Sequence, residues 1–315
     1  MTGPVSTAPA PRRSYRAILA SALGLLVWGC EASNVAQTSR PDYSQGTHVV
    51  LLGTGTPNAE PDRSGTAVAI VVNGNVYLVD AGPGVVRQAA AAMFHLPRLS
   101  IVFITHLHSD HTVGLPDLMY TPWVLGRDRP LEVYGPPGIG AMTDHLLTAY
   151  QQDVQVRTAG LEPANAEGYK VDAREIEPGV VYQDDLVQVT ALPVQHGSWP
   201  YAFGYRFDTA DRSIVISGDA VPSDAVVAHC AGCDVLVHEV YSQTSFERRA
   251  PIWQQYHSGA HTSTVELAEL ARRAQPKLLV LYHQLLWGTT PDELLEEIRA
   301  RWNGQVVYGR DLDVY

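Results

Sequence analysis

Four metal-ligand side chains lie within six consecutive residues, and this run constrains the fold more than any other part of the chain. They belong to the sequence HLHSDH at 106–111 and are His106, His108, Asp110 and His111. The run directly follows an apolar segment, 101–105, which is predicted to be a buried strand. Imidazole and carboxylate ligands bind zinc at about 2.0–2.2 Å, and a turn after a strand can direct all four side chains into one cavity. An isolated histidine on an apolar face is usually a core residue, but that explanation does not cover four such residues together.

The HxHxDH run after a buried strand resembles the signature of the metallo-β-lactamase superfamily, and further motifs follow in the order of that family. Asp80, in LVDAG, is similar to the structural aspartate of the family. His196 in PVQHG, Asp219 in SGDA and His283 in LYHQ are similar to its remaining metal ligands. The resemblance covers residues 47–315 and implies a metal-dependent hydrolase.

The resemblance implies a centre of two divalent ions, with zinc as the expected metal. One ion would take His106, His108 and His196 as ligands. The other would take Asp110, His111 and His283. Asp219 and a hydroxide would bridge the two ions, and Asp110 would also belong to the catalytic machinery. Two such ions activate water and neutralise charge on both the attacking and the leaving oxygen. Manganese or iron could also occupy a site of this composition.

Two later motifs resemble the ribonuclease Z-like or arylsulfatase-like branch of the superfamily. These are His238-Glu239 and the HTST segment that begins at His261. The resemblance implies that His261 protonates the leaving group, with Glu239 orienting its ring and favouring its protonated form, and with His238 as a neighbour. A helix cap at residues 262–264 and a core position for His238 are the structural alternatives. The motifs depart from the branch pattern at Val240 and in the additional Thr262.

The order of predicted elements favours an α/β fold built as a four-layer αββα sandwich. Alternating apolar segments predict strands in both halves of the chain, with helices between them. Asn73-Gly74 between two strand-like runs is typical of a hairpin. The segment 151–190 is predicted to be irregular, with only short strand-like pieces. Residues 47–315 are expected to form one catalytic domain.

The charge balance argues against a nucleic-acid substrate. The chain has 22 basic and 33 acidic residues, a formal net charge of −11. A tRNA-processing member of the branch carries a basic arm where this chain has 151–190, which holds eight acidic and three basic residues. Such a surface repels a phosphate backbone. We therefore expect a small phosphodiester or related ester as the substrate, and a homodimer is possible.

Two other functions are compatible with the sequence. A hydrolase that opens lactones or β-lactams has less need of a general acid, because its leaving group stays tethered. A non-catalytic zinc-binding lipoprotein is the non-enzymatic alternative. The proton donor expected at His261 argues against pure metal storage, which requires no acid.

The first thirty residues resemble an export signal. Basic residues Arg12, Arg13 and Arg16 precede a short apolar stretch, 17–28, which is too short to span a bilayer. Gly29-Cys30 resembles the cleavage site of a bacterial lipoprotein. We therefore expect a signal peptide at 1–29, a flexible tether at 30–46, and a membrane-anchored lipoprotein of the bacterial envelope attached through lipidated Cys30. A plain signal peptide or a short anchor helix is the alternative.

Two further features remain open at the level of sequence. Cys230 and Cys233 could form a local disulfide in an oxidising compartment or pack as reduced thiols. Aromatic residues near the ligand motifs could form the rim of a substrate pocket or simply cover loops and helix ends. These aromatic residues are Tyr120, Trp123, Trp199, Trp253, Tyr256 and Trp287.

Overall fold

The computed structural model describes residue 3 and residues 41–315, and the fold is formed by the second range. The predicted signal segment 1–29, Cys30 and the tether up to residue 40 lie outside the described residues. Across 41–315, no helix combines the length and the apolar character that crossing a bilayer requires.

The first sheet has six strands in the order β1 to β6. β1–β3 are antiparallel, and β3–β6 are parallel. Asn73 and Gly74 both have positive φ between β2 and β3, which is the conformation of the tight hairpin turn predicted for this pair. The strands are β1 (Thr47–Gly53), β2 (Ala67–Val72), β3 (Asn75–Val79), β4 (Ile101–Phe103), β5 (Leu131–Gly135) and β6 (Val171–Glu175).

The second sheet has seven strands in the order β13-β12-β11-β10-β9-β8-β7. β7–β10 are antiparallel, and β10–β13 are parallel. The strands are β7 (Gly179–Gln183), β8 (Val187–Pro193), β9 (Phe203–Thr209), β10 (Ser213–Ile216), β11 (Val235–Tyr241), β12 (Leu278–Leu285) and β13 (Val306–Tyr308).

Ten α-helices accompany the sheets in the range 41–315. They are α1 (Val85–Ala91), α2 (Ser109–Thr112), α3 (Leu115–Val124), α4 (Ile139–Ala149), α5 (Gln151–Ala159), α6 (Asp224–Cys230), α7 (Gln243–Phe246), α8 (Pro251–Ser258), α9 (Thr264–Ala274) and α10 (Pro291–Arg299).

Three apolar cores define the layers. The central core joins residues of both sheets, including Phe103 of β4 and Phe207 of β9. A second core packs α1 and α3 on the outer face of the first sheet, and a third packs α6, α9 and α10 on the outer face of the second. The arrangement is helix, sheet, sheet, helix, so the predicted αββα sandwich is confirmed.

The short strand-like pieces predicted in 151–190 are confirmed, but the prediction that the segment is otherwise irregular is wrong. The segment begins with α5 and then supplies β6 and β7, which are the edge strands of the two sheets, and the start of β8. Both edge strands have only five residues and are largely exposed, so the apolar pattern by which a strand is recognised is short and weak in each of them. In the second sheet, β11 carries Glu239 and β12 carries His283, each two residues before the end of its strand.

Candidate metal centre

The HLHSDH run folds into a turn and a short helix at the end of β4. His108 lies immediately before α2, whose first residues include Asp110 and His111. His106 and His111 are fully buried, and Asp110 is nearly so. Because the chain reverses within a few residues, all four side chains reach the same side of the first sheet.

Asp80 fixes the position of this turn through hydrogen bonds to its residues. It is fully buried and has φ 62°, a left-handed conformation in which aspartate is enriched. Its Oδ1 accepts from the backbone N–H of Thr105 at 2.8 Å, and its Oδ2 lies 2.7 Å from Nδ1 of His111. This contact places a proton on Nδ1 of His111 and leaves Nε2 free to bind a metal ion.

Four residues form the first candidate ligand group. Nε2 of His106 lies 2.9 Å from Nδ1 of His108, and Nε2 of His196 lies 3.2 Å from the same atom. His196 donates from Nδ1 to the carbonyl of Ala260 at 2.7 Å, so its Nε2 faces the group without a proton. The group is completed by Asp219, and its ligand atoms all lie within 4.8 Å of one another.

The second candidate group contains Asp110, His111 and His283. Nε2 of His283 lies 3.3 Å from Oδ2 of Asp110. His283 is the extra residue of a β-bulge, because Glu239 pairs with Tyr282 while Val240 pairs with Gln284. Its φ of 44° is unusual for a non-glycine residue, and a bulge of this kind redirects a side chain next to an active site.

The carboxylate of Asp219 lies close to both candidate ligand groups. Its Oδ2 lies 3.4 Å from Nε2 of His111, 3.4 Å from Nε2 of His283 and 3.9 Å from Nε2 of His196. The preceding Gly218 has φ 62°, and a Cβ at that position would lie 2.7 Å from the carbonyl of Phe203. Only glycine fits at this position. The left-handed turn that it allows places the Asp219 carboxylate against the histidines.

The electrostatics of the cluster fit a positively charged ligand. Burial acts to raise the pKa of Asp219, but the fields of His283 and His111 outweigh it and hold that pKa well below its usual range. Burial lowers the pKa of His106, and that of His108 to about 4, so both rings are neutral near pH 7. Nε2 of His111 and Oδ1 of Asp219 are buried without a protein hydrogen-bond partner. Burial acts to lower the pKa of His111 and of His283, but the neighbouring Asp219 raises both, so in the absence of an ion their protons carry the positive charge that balances the carboxylates. Imidazoles and carboxylates gathered in this way are the donor set of a divalent metal site.

His261 and Glu239 lie beside this cluster. Nδ1 of His261 is 3.4 Å from Oε1 of Glu239 and 4.0 Å from Oδ2 of Asp219. Glu239 accepts from the backbone N–H of Thr262 at 2.9 Å and so ties the His261 segment to β11. Burial lowers the pKa of His261 to about 4 and raises that of Glu239 well above its usual range. Burial therefore favours the neutral form of His261 in the free protein, and the expectation that Glu239 favours its protonated form stays a prediction.

His238 is the one predicted catalytic residue that the structure does not bring to the cluster. It shares a face of β11 with Leu236 of the outer core, whereas Glu239 lies on the opposite face with Val237 of the central core. Its Nδ1 donates to the carbonyl of Glu239 at 2.7 Å. The candidate metal groups found within 41–315 do not include it.

Comparison with known proteins decides the family. Residues 75–284 match the family model described as "Beta-lactamase superfamily domain". Ribonuclease Z of Mycobacterium marinum is 34% identical over 273 residues, which cover 84% of this chain and 96% of the relative. Ribonuclease Z of Mycobacterium avium is 36% identical over 275 residues, with the same coverage of 84% and 96%.

The chain is a ribonuclease Z-like member of the metallo-β-lactamase superfamily. Solved structures share the fold. The short form of human tRNase Z has a TM-score of 0.63 at 23% identity, over 85% of this chain and 98% of its own. The metallo-β-lactamase fold protein YhfI from Bacillus subtilis has a TM-score of 0.66 at 17% identity, over 85% and 98%. The predictions of the superfamily and of a metal-dependent hydrolase are confirmed.

The aromatic residues divide into two sets in this superfamily member. Tyr120 and Trp123 belong to the core beneath α3, so for them the covering interpretation is correct. Trp199, Trp253, Tyr256 and Trp287 line cavities next to the candidate metal ligands. Nε1 of Trp199 donates to Nε2 of His108 at 2.8 Å. A metal ion at Nδ1 of His108 would require the proton on Nε2, so Trp199 and the ion favour opposite tautomers of that ring.

Arg249 and His257 also line a cavity at the site, and sequence reasoning missed both. They lie between the His238-Glu239 motif and His261, near or within α8, in a stretch without a ligand-spacing pattern. Trp253 and Tyr256, which lie between them in the sequence, are the only signal that the sequence offers for this part of the site.

Proposed function

We propose that this protein hydrolyses phosphodiesters at a centre of two divalent metal ions, with zinc as the metal. The observation that carries the proposal is the position of Asp219, whose carboxylate lies within 4 Å of histidines from both ligand groups. A carboxylate placed in this way could be shared by two ions of one centre. The ribonuclease Z names of the mycobacterial relatives support the reaction type.

The seven ligand residues are His106, His108, Asp110, His111, His196, Asp219 and His283. Two ions bound there would supply an activated water and would neutralise the charge of the phosphate. Neighbouring groups keep two of the ligands, His111 and His196, in the required tautomers. Asp80 holds His111, and the carbonyl of Ala260 holds His196. Outer contacts of this kind typically change metal affinity by about 10–100-fold when they are lost.

We assign the role of general acid to His261. It is nearly buried and borders the cluster, and it lines a cavity large enough for a substrate group. The bound phosphodiester is an anion, and its charge favours protonation of a neighbouring imidazole. The protonated ring then donates to the departing oxygen, while Glu239, whose Oε1 lies 3.4 Å from Nδ1 of His261, orients the ring. Asp219, His261 and His283 are also close enough to hold an ion, so the test of this role must measure metal content.

We propose a small phosphodiester rather than a structured RNA as the substrate. The ribonuclease Z relatives weigh against this choice. In its favour, the chain carries a net charge of −11, and residues 151–190 are rich in acids. The only lysine of that segment, Lys170, pairs with Glu167 at 2.8 Å, and Arg157 pairs with Asp153 and Glu162. These pairs leave little free positive charge for a phosphate backbone.

We also propose that the protein is exported and anchored through lipidated Cys30. The leader sequence supports this proposal, because basic residues precede an apolar stretch that ends at a cysteine. The disulfide between Cys230 and Cys233 also supports it, since such bonds are typical of oxidising compartments. Fractionation of cells that express wild type or Cys30→Ala tests it. The wild type should sediment with membranes and the variant should not. Wild-type protein free in the cytoplasm or the periplasm would contradict the anchor.

A panel of substrates tests the proposed reaction. Purified protein loaded with zinc would be assayed with bis(4-nitrophenyl) phosphate, 4-nitrophenyl sulfate, a γ-lactone, a chromogenic β-lactam and a tRNA precursor. We expect turnover of the phosphodiester that is abolished by a chelator and restored by zinc. Hydrolysis of the lactone or the β-lactam without phosphodiester turnover would overturn the reaction. Faster cleavage of the tRNA precursor than of the small diester would overturn the choice of substrate.

A further inference from the structure

A cavity of about 370 Å³ opens beside His261. One wall of it is formed by residues of α8, by Arg249, which precedes that helix, and by Trp287 in the loop after β12. The residues that matter here are Arg249, Trp253, Tyr256, His257 and Trp287, together with His261. None of these, apart from His261, has a place in the proposed reaction.

The cavity presents flat aromatic surfaces. Trp253 and Tyr256 are exposed at 50% and 42%, which is high for side chains of this size within a folded domain. The ring of His257 lies between two indoles, 5.8 Å from Trp253 and 4.4 Å from Trp287, measured between ring centroids. Exposed apolar surface at the mouth of a site usually marks a place where a ligand is bound. The shape suits a planar group.

The same cavity contains polar groups without protein partners. His257 is 94% buried, and neither of its ring nitrogens has a hydrogen-bond partner in the described chain. Nε of Arg249 is also buried and unpaired. Leaving a buried polar group unpaired costs about 1–3 kcal/mol. Such groups, concentrated at one cavity, point to a ligand that supplies the missing partners.

Arg249 adds an uncompensated positive charge. Its guanidinium lies 4.9 Å from the centroid of Trp287 and 5.7 Å from that of Trp253, so the two rings hold it at the cavity. Within residues 41–315, no carboxylate lies within 4.0 Å of it, although the chain is strongly acidic. A guanidinium held by aromatic rings and free of acidic partners is a binding group for an anion.

We infer that this cavity is the leaving-group subsite and that it takes a flat aromatic leaving group bearing a negatively charged substituent. The inference rests on the proposed function in one respect, namely that His261 protonates the departing oxygen. That oxygen must then lie next to His261, and the group attached to it extends into the cavity that His261 lines. Trp253 and Trp287 contact its faces, and Arg249 binds its charge.

Binding of phosphonates tests the aromatic part without any turnover, because the C–P bond is not hydrolysed. Phenylphosphonate and cyclohexylphosphonate have the same charge and similar size, and each would be titrated into zinc-loaded protein by calorimetry. We expect phenylphosphonate to bind about 3–10-fold more tightly, as an aromatic stack predicts. Trp253→Ala should remove this preference. Ile252→Ala, a neighbouring exposed residue of α8 that does not line the cavity, should keep it.

A second pair of ligands tests the charge. We expect 4-carboxyphenylphosphonate to bind about 10-fold more tightly than phenylphosphonate, because its carboxylate reaches a charged donor. Arg249→Gln should abolish that difference. Arg248→Gln removes the adjacent arginine, which lines a different cavity, and should leave the difference unchanged.

The assignment to the leaving group is tested by two substrates. In methyl 4-nitrophenyl phosphate the aromatic group departs, whereas in trifluoroethyl phenylphosphonate it stays on phosphorus. Trp253→Ala should lower kcat/KM for the first substrate and leave the second nearly unchanged. Equal impairment on both would overturn the assignment. Equal binding of phenylphosphonate and cyclohexylphosphonate to wild type would overturn the subsite itself. If phosphodiester turnover is absent but the preference for phenylphosphonate depends on Trp253, the proposed reaction fails and the aromatic site stands.

Discussion

The two sheets contribute differently to the same metal centre. On the first-sheet side, most buried groups around the ligands pair within the protein. Asp80 binds Thr105 and His111, and Nδ1 of His106 lies 3.0 Å from the hydroxyl of Thr105. The exception is Nε2 of His111, which faces Asp219 in the ligand cluster. On the second-sheet side, several fully or nearly buried atoms have no protein partner. They are Nε2 of His238, Oε2 of Glu239, Nδ1 of His261, the hydroxyl of Tyr282 and Nδ1 of His283.

This difference distinguishes residues that position the metal ligands from residues that we propose to act on the substrate. Each unpaired buried group costs about 1–3 kcal/mol, so a fold does not accumulate them on one side without a compensating role. The paired side keeps His111 and its neighbours in fixed tautomers before any ion binds. The unpaired side contains His261 and Glu239, the groups that we propose exchange protons and contact substrate. Substitutions on the second-sheet side should therefore lower the rate of the reaction, whereas substitutions on the first-sheet side should lower the affinity for metal.

The largest effect is expected at His261. In His261→Ala, kcat on an alkyl phosphodiester should fall by about 10²–10⁴-fold, because a general acid is lost, while both metal ions remain. The loss should be much smaller on a nitrophenyl ester, whose leaving group needs little protonation. Parallel kinetics and metal analysis check both statements. Equal impairment on the two esters would show that His261 is not the acid, and loss of an ion would show that it is a ligand.

Asp80→Asn should instead weaken metal binding. An amide cannot replace both carboxylate contacts, so His111 loses the acceptor that fixes its tautomer. We expect about 10–100-fold lower zinc affinity, measured by competition with a chromophoric chelator. At saturating zinc, the ratio of rates on alkyl and nitrophenyl esters should equal that of the wild type. A changed ratio would contradict the separation between the two sides.

The smallest effect is expected at Thr105. Thr105→Val keeps the shape of the side chain but removes the hydroxyl that contacts Asp80 and His106. Loss of these contacts should lower zinc affinity by about 2–10-fold, because Asp80 keeps its bonds to the backbone of Thr105 and to His111. Thr105→Ser retains the hydroxyl and should behave nearly as wild type in the same competition assay. A serine variant as weak as the valine variant would assign the effect to packing instead.

Short motifs explain why the ligands are predictable from the sequence. Each of the seven lies at a turn or a strand end within a recognisable group of residues, and the structure brings all of them together. The αββα layers follow from apolar periodicity and from the hairpin at Asn73. These features are local, so each can be read without knowledge of distant contacts.

Other features depend on contacts that the sequence does not encode locally. The His238-Glu239 pair lies inside β11, where neighbouring residues face opposite ways, so only one of them can reach the site. The bulge that redirects His283 arises from pairing between β11 and β12. Arg249 and His257 acquire their position from the packing of α8 and Trp287, and β6 and β7 are strands because of the sheets that they join.

Metal stoichiometry tests the central claim, a single centre in which Asp219 joins two ions. Mass spectrometry of the native protein after zinc loading and removal of excess metal gives the number of ions per chain directly. We predict two ions per chain in the wild type and no more than one in Asp219→Ala, since that variant loses the ligand shared by both groups. A single ion or none in the zinc-loaded wild type, or two firmly held ions in Asp219→Ala, would contradict the account.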